Sequence, residues 1–81
     1  MILPTKRLGQ DRALLYVGGE ILGALDEPKT ASRLWDEIKQ ARVARPGVTA
    51  LTYDWFVLAL DLLFTIRAIE YDRGRVRKVT P

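Results

Sequence analysis

The side chains that could support catalysis in this sequence are two pairs of adjacent carboxylates and one serine. The acidic pairs are Asp26-Glu27 and Asp36-Glu37, and the serine is Ser32. Consecutive residues on a helix point in diverging directions, so Asp36 and Glu37 do not converge on one substrate atom. Ser32 has no histidine to activate its hydroxyl, because the sequence contains no histidine. We therefore expect no catalytic residues and a protein that is not an enzyme.

The residues that usually bind metals and phosphates are also missing. Cysteine and histidine are both absent, which removes the thiolate and imidazole ligands that transition metals use most often. The pair Gly18-Gly19 lacks the spacing and the lysine of a phosphate-binding loop. We accordingly expect no metal ion, no cofactor and no small-molecule substrate.

No stretch of the sequence reaches the roughly 18 to 20 apolar residues of a membrane span. The longest apolar stretch, residues 55–66, is interrupted by Asp61 and Thr65. At the start of the sequence the apolar residues precede the basic ones, which is the reverse of a secretory signal. We therefore expect a cytoplasmic protein without a membrane partner.

Apolar residues recur at helical spacing in three segments. The expected N-caps are Asp11, Thr30 and Thr52, and the third helix is expected to end at Arg67. Gly18-Gly19 lies inside the first helix. It marks either a weak helix that packing tolerates or a close approach of another backbone.

A short alternating segment follows the three helices. Ile69, Tyr71 and Val76 alternate with polar residues around a turn that contains Gly74, which predicts a β-hairpin. Three helices followed by a hairpin predict an α+β fold, the winged helix-turn-helix, with the hairpin as its wing. The link between the second and third helices is longer than the tight turn of about 3 to 4 residues in a helix-turn-helix.

The third helix carries the main indication of function. Between Thr52 and Ile66 there is no lysine or arginine, and the two charged residues, Asp54 and Asp61, are acidic. A winged helix that reads DNA needs polar and basic side chains on the outer side of this helix. Because carboxylates repel phosphates, the sequence disfavours insertion of this helix into the major groove.

The same helix is apolar almost all round, which is more than two neighbouring helices can bury. Its expected core side consists of Phe56, Ala59, Leu60 and Leu63. The other large side chains are expected to bind a protein partner, with tryptophan as a favoured anchor. These candidate partner-binding residues are Trp55, Leu58, Leu62, Val57 and Tyr53.

We expect residues 1–10 to form an extended N-terminal lead and residues 11–81 to form a single domain. This division leaves an alternative for the apolar third helix. The lead, with Ile2 and Leu3, folds back and covers that helix, in which case no partner is needed.

The hairpin contains the densest positive cluster in a chain whose net charge is +3. The candidate phosphate contacts are Arg73, Arg75, Arg77 and Lys78, and such contacts to nucleic acid would be independent of base sequence. Two alternatives stay open. The charges protect a sheet edge from aggregation, or they meet an acidic partner.

Several segments together resemble a known family. They are Leu3-Pro4-Thr5-Lys6, Asp11-Arg12-Ala13-Leu14-Leu15, Asp26-Glu27-Pro28-Lys29-Thr30, Leu34-Trp35-Asp36-Glu37-Ile38 and Trp55-Phe56-Val57-Leu58-Ala59-Leu60-Asp61-Leu62-Leu63. The chain resembles the small middle components of ABC three-component systems, which are bacterial conflict or antiphage operons that combine an SMC-like ABC ATPase, a middle component and an effector. The resemblance implies a non-catalytic winged-helix adaptor whose partners are the ATPase and the effector. The alternatives are a DNA-binding winged-helix transcriptional regulator and a small antitoxin or anti-repressor.

Overall fold

The chain forms three helices followed by a two-stranded antiparallel hairpin. The computed structural model describes residues 5–45, 47 and 51–79, with the backbone alone for residues 5–11. The elements are α1 (Thr5–Ala24), α2 (Ala31–Val43), α3 (Tyr53–Thr65), β1 (Ile69–Asp72) and β2 (Arg75–Lys78). This α+β, winged-helix-like layout confirms the predicted fold class.

The first helix begins earlier than the sequence pattern predicts. α1 starts at Thr5 and not after Asp11, so residues 5–10 are helical and the prediction of an extended lead is wrong for them. Lysine, arginine, leucine and glutamine dominate this segment, and their helix propensity outweighs the cost of about 1 kcal/mol for Gly9. Neither α1 nor the other helices in the described ranges are long and apolar enough to cross a membrane. The lead residues Ile2 and Leu3 lie outside the described residues.

The other two helices begin where the capping pattern predicts. The hydroxyl oxygen of Thr30 accepts a hydrogen bond from the backbone N–H of Arg33 at 3.2 Å. The hydroxyl oxygen of Thr52 accepts a hydrogen bond from the backbone N–H of Trp55 at 3.3 Å. Each hydroxyl therefore satisfies an N–H that lacks a partner within its own helix.

The third helix ends two residues before the predicted end, in a Schellman motif. The N–H of Ala68 donates to the carbonyl of Leu63 at 2.8 Å, and the N–H of Arg67 donates to that of Phe64 at 3.1 Å. The motif requires a left-handed residue after the C-cap, which is usually glycine. Arg67 occupies this position with φ of 62°. The resulting reversal directs the chain from α3 into β1.

One apolar core joins the three helices to the hairpin. Its buried side chains are Val17, Ile21, Leu25, Leu34, Ile38, Phe56, Ala59, Leu60, Leu63, Ile69 and Val76. At Gly18 a Cβ atom would lie 3.4 Å from Cδ2 of Leu63, so this glycine marks where α1 packs against an α3 side chain. At Gly19 a Cβ atom would meet no described atom within 4 Å. The neighbour of Gly18 is thus a side chain, and the backbone of no other described element approaches either glycine, so packing tolerates both of them in α1.

The hairpin is joined to the helices through the loop that precedes α2. Tyr71 pairs with Val76, and the two-residue turn Arg73-Gly74 has positive φ at both positions, 53° and 79°. This geometry matches the right-handed twist of the two strands. On its other side, Val76 exchanges two backbone hydrogen bonds with Lys29, of 2.7 and 3.0 Å. Residue 29 therefore lies beside β2 as a one-residue strand.

The side chain of Lys29 is buried at this junction and joins three parts of the fold. Its ammonium group donates to the carbonyl of Ala24 at the end of α1, at 2.7 Å. It also contacts the carboxylate of Glu37 on α2 at 2.6 Å and that of Asp26 in the loop at 3.0 Å. A buried ammonium with three oxygen partners keeps its charge, because these partners replace the water that it loses.

The electrostatics of this cluster follow from its contacts. The hydrogen bonds to Glu37 and Asp26 raise the pKa of Lys29 above its ordinary value of 10.5. Hydrogen bonds from Lys29 and Arg33 lower the pKa of Glu37 below its ordinary value of 4.5. The hydrogen bond from Lys29 also lowers the pKa of Asp26. All of these shifts favour the charged forms in the folded state.

A second ion pair connects α1 directly to α2. Nε of Arg42 donates to both carboxylate oxygens of Glu20, at 3.1 and 3.2 Å, and both side chains are largely buried. Arg45 donates to the hydroxyl of Tyr16 at 3.0 Å and lies 3.8 Å from Glu20. These contacts fix the angle between the two helices that support α3.

Glu37 should produce a measurable acid dependence of stability. Its pKa is lower in the folded state, so its stabilising contribution is complete above about pH 5 and is lost as the pH falls through the folded pKa. The contribution of Lys29 has the opposite sign and is lost as the pH rises through its raised pKa. We expect Glu37→Gln to flatten the fall in the free energy of unfolding below pH 5, measured by urea denaturation. Asp36→Asn, which removes an exposed carboxylate from the same helix, is the matched control, and equal slopes for both variants would contradict the assignment.

Arg67→Gly should stabilise the protein. The left-handed conformation strains a residue with a Cβ atom but not glycine, and the substitution should raise the free energy of unfolding by about 0.5 to 1 kcal/mol. The matched control is Thr65→Gly at the last residue of α3, which should lower the free energy of unfolding by about 0.3 to 0.5 kcal/mol. Urea denaturation followed by circular dichroism measures both. A loss of stability in Arg67→Gly would show that the arginine side chain matters more than its backbone strain.

Candidate functional site

The core side of α3 is the one that the sequence predicts. The side chains of Phe56, Ala59, Leu60 and Leu63 are buried, and those of Asp54, Asp61 and Thr65 are exposed on the opposite side. This confirms the predicted orientation of the helix. The remaining apolar residues of α3 lie between these two sides.

Three of these apolar residues and Ile66, the C-cap residue that follows the helix, form a continuous stripe, which we call the α3 seam. It consists of Trp55, Leu58, Leu62 and Ile66. Trp55 and Leu62 are half-buried, whereas Leu58 and Ile66 are 51% and 59% exposed. At about 100° per residue the four side chains fall within an arc of about 80°. The seam therefore presents one row of large apolar groups at the surface, next to the core side of the helix.

A row of acidic residues borders the α3 seam. Asp54 and Asp61 are exposed and seven residues apart, which corresponds to about 10.5 Å along the helix axis. On the helical wheel they lie beside Leu58 and Leu62, on the edge of the seam that is away from the core. No lysine or arginine occurs anywhere in α3. The outer surface of this helix is therefore apolar on one side and negative on the other.

Two of the predicted partner-binding residues lie on the opposite flank of α3. Tyr53 and Val57 are each about 160° from Trp55 around the helix axis. The ring of Tyr53 packs edge-on against Trp35 of α2 at 5.3 Å and lies 6.0 Å from the ring of Phe56. The five predicted residues therefore do not form one surface, since Trp55, Leu58 and Leu62 lie on one side and Tyr53 and Val57 on the other.

An exposed leucine of α1 lies on the side of that helix that faces α3. Gly18 of α1 approaches Leu63 of α3, and Leu15 precedes Gly18 by three residues, so both lie on the same side of α1. Leu15 is 60% exposed. Exposed apolar surface is thus present on α1 as well as on α3.

The outer face of the hairpin is electrically balanced. The strand register places Glu70 opposite Arg77 and Asp72 opposite Arg75, while Val76 faces the core. The guanidinium of Arg77 lies 3.2 Å from the carboxylate of Glu70. Two of the four predicted phosphate-contacting residues therefore share their face with two carboxylates.

The two other basic residues of the predicted phosphate contacts lie elsewhere on the hairpin. Arg73 forms the turn, and Lys78 pairs with Ile69 on the other face. Arg75 and Arg77 point to the same face of the hairpin, so the four cations are distributed over three directions. This arrangement weakens the attraction of the hairpin for a phosphate backbone.

Comparison with known protein families finds a match over nearly the whole chain. The model of one family, ABC-three component (ABC-3C) system Middle Component 6, matches residues 3–79. The match covers all three helices and both strands. The chain belongs to the Middle Component 6 family. Searches of curated proteins and of solved structures give no significant match.

Membership of Middle Component 6 confirms the resemblance that the sequence motifs indicate. The protein is accordingly one component of a multi-component ABC system. Sequence reasoning missed two features of this Middle Component 6 protein that support its surfaces, namely the buried Lys29 and the Glu20–Arg42 pair. It also missed that Ile66 extends the α3 seam, although the apolar spacing of residues 55, 58 and 62 already points to position 66.

The balance of charges on the hairpin is testable by removing its carboxylates. Glu70→Gln combined with Asp72→Asn leaves Arg75 and Arg77 unpaired, so we expect retention on heparin at a salt concentration at least about 1.5 times that of the wild type. Asp36→Asn on α2 combined with Asp54→Asn at the start of α3 removes the same charge outside the hairpin. If this control shifts elution equally, net charge alone governs binding and the register has no effect.

Proposed function

We propose that this Middle Component 6 protein is a non-catalytic adaptor that joins the SMC-like ABC ATPase of its system to the effector. The α3 seam is the proposed binding surface, and the assembly is proposed to act in the cytoplasm in defence against phage. The observation that carries this proposal is the exposure of Leu58 and Ile66 on a helix without basic residues. Family membership supports a role within a multi-component system.

The energetics of the α3 seam favour a protein partner over nucleic acid. Complete burial of one leucine stabilises a complex by about 1.5 to 3 kcal/mol before the costs of association are subtracted. Leu58 and Ile66 still expose more than half of their surface, so a partner that covers them gains much of this free energy. A phosphate backbone at the same place would meet Asp54 and Asp61 and would be repelled.

The fold supplies a rigid base for this surface. The Glu20–Arg42 pair and the Lys29 cluster hold α1, α2 and the hairpin together, and α3 packs its core side against them. Because the seam lies on a helix with both ends capped, a partner need not order it upon binding. This property suits a subunit whose task is to connect two larger proteins.

Copurification tests the adaptor role directly. The chain is coexpressed with the ATPase and the effector of its own operon, with an affinity tag on the ATPase. Leu58→Asp places a charge in the seam and should reduce recovery of the chain at least about tenfold, and protection against phage should fall with it. Val43→Asp makes the same chemical change at an apolar residue that is 88% exposed on α2, outside the seam, and should keep wild-type recovery.

Two results would contradict the adaptor role. Wild-type recovery of Leu58→Asp in a folded state would show that the seam is not the binding surface. A wild-type chain that binds neither the ATPase nor the effector would exclude the role itself. Circular dichroism of the purified variants confirms that each of them is folded.

A further inference from the structure

Part of the outer side of α3 repeats every seven positions: aspartate stands at 54 and 61 and a large apolar residue at 55 and 62, whereas Leu58 is followed seven residues later by Thr65. Trp55, Leu58 and Leu62 follow the i, i+3, i+7 pattern of the a and d positions of a heptad. Asp54 and Asp61 each precede an a position and therefore occupy successive g positions. In a coiled coil, charges at g face the partner helix and select its orientation and identity.

The other edge of this pattern carries no charge. The e positions of the same heptads are Ala59, which is buried in the core, and Ile66 at the end of the helix. Charged residues that can select a partner helix therefore lie on one edge only, the edge with the two aspartates. A partner helix needs basic residues along that edge and apolar residues along its centre.

We propose that the α3 seam binds an amphipathic helix of a partner protein whose apolar stripe is flanked by lysine or arginine residues. This inference rests on the adaptor role and specifies the chemistry of the partner. The apolar stripe of the partner helix covers Leu58 and Ile66, and its basic residues face Asp54 and Asp61. α3 has 13 residues and is about 20 Å long, so it accommodates about two heptads of such a helix.

A second copy of this chain fits the α3 seam less well. In an antiparallel pair of α3 helices the g positions face each other, which brings Asp54 and Asp61 of one copy next to those of the other. In a parallel pair the aspartates face Ala59 and Ile66, which supply no positive charge. Neither arrangement compensates the acidic row, so charge complementarity favours a different, basic helix.

Designed peptides test the chemistry of the seam without the ATPase or the effector. One peptide of about three heptads has leucine at a and d and lysine at e and g, and a second has glutamate in place of lysine. A scrambled version of the lysine peptide controls for net charge. Fluorescence anisotropy of the labelled peptides measures their affinity for the full chain.

The wild type should bind the lysine peptide at least about tenfold more tightly than the glutamate peptide or the scrambled peptide. The variant Asp54→Lys combined with Asp61→Lys should reverse this preference. Asp36→Lys, at an exposed aspartate on α2, should leave the preference unchanged. Leu58→Asp should weaken binding of both helical peptides, because it disrupts the apolar centre of the seam.

Three outcomes would overturn the proposal. The wild type binds neither peptide, or it binds both equally and ignores the charge reversal at positions 54 and 61. In the third outcome, sedimentation shows self-association that Leu58→Asp abolishes, which identifies a second copy as the occupant. The adaptor role fails separately, in the copurification experiment, because a selective seam can exist in a protein that does not bind the ATPase or the effector.

Discussion

The structure depends on a limit to how much of one helix a small fold can bury. α3 is apolar almost all round, but only its core side, built on Phe56, Ala59, Leu60 and Leu63, is fully enclosed by α1, α2 and the hairpin. The hydrophobic effect acts on the remaining apolar surface as strongly as on the core, and that surface stays partly in water. Large apolar patches on a soluble protein mark sites of interaction with other proteins. The α3 seam is the consequence of this limit.

The polar residues of the fold hold α1, α2 and the hairpin in place around the core side of α3. Lys29 connects the end of α1, the following loop and α2 through three oxygen atoms, and its backbone pairs with β2. Glu20 and Arg42 connect the other end of the α1–α2 interface. Burial of such groups gives little net stability compared with an apolar core, but the loss of one partner leaves a costly unpaired charge. These clusters therefore restrict the helices to one arrangement.

Local features of this fold could be predicted from the sequence, and features that depend on pairing between distant residues could not. Thr30 and Thr52 identify their helix starts because capping involves residues only three apart. The end of α3 was predicted two residues late because an arginine, and not the usual glycine, occupies the left-handed position after the helix. The start of α1 was missed because its polar first turns lack an apolar repeat. The charge balance of the hairpin depends on the register that places Glu70 opposite Arg77, and the role of Lys29 depends on tertiary contacts. The candidate site was predictable as a helix face, but the separation of Tyr53 and Val57 from the seam follows from where the neighbouring elements pack.

The proposal that the α3 seam is a binding surface can be tested by measuring the solvent accessibility of position 58 in the free protein and in the assembled complex. The chain contains no cysteine, so Leu58→Cys introduces a single thiol whose alkylation rate can be followed by mass spectrometry, with Val43→Cys as a reference on α2. We expect rapid alkylation at both positions in the isolated protein. We also expect protection at position 58, but not at position 43, once the ATPase and the effector are bound. Slow alkylation at position 58 in the isolated chain, or no protection in the assembled complex, would contradict the proposed role of the α3 seam.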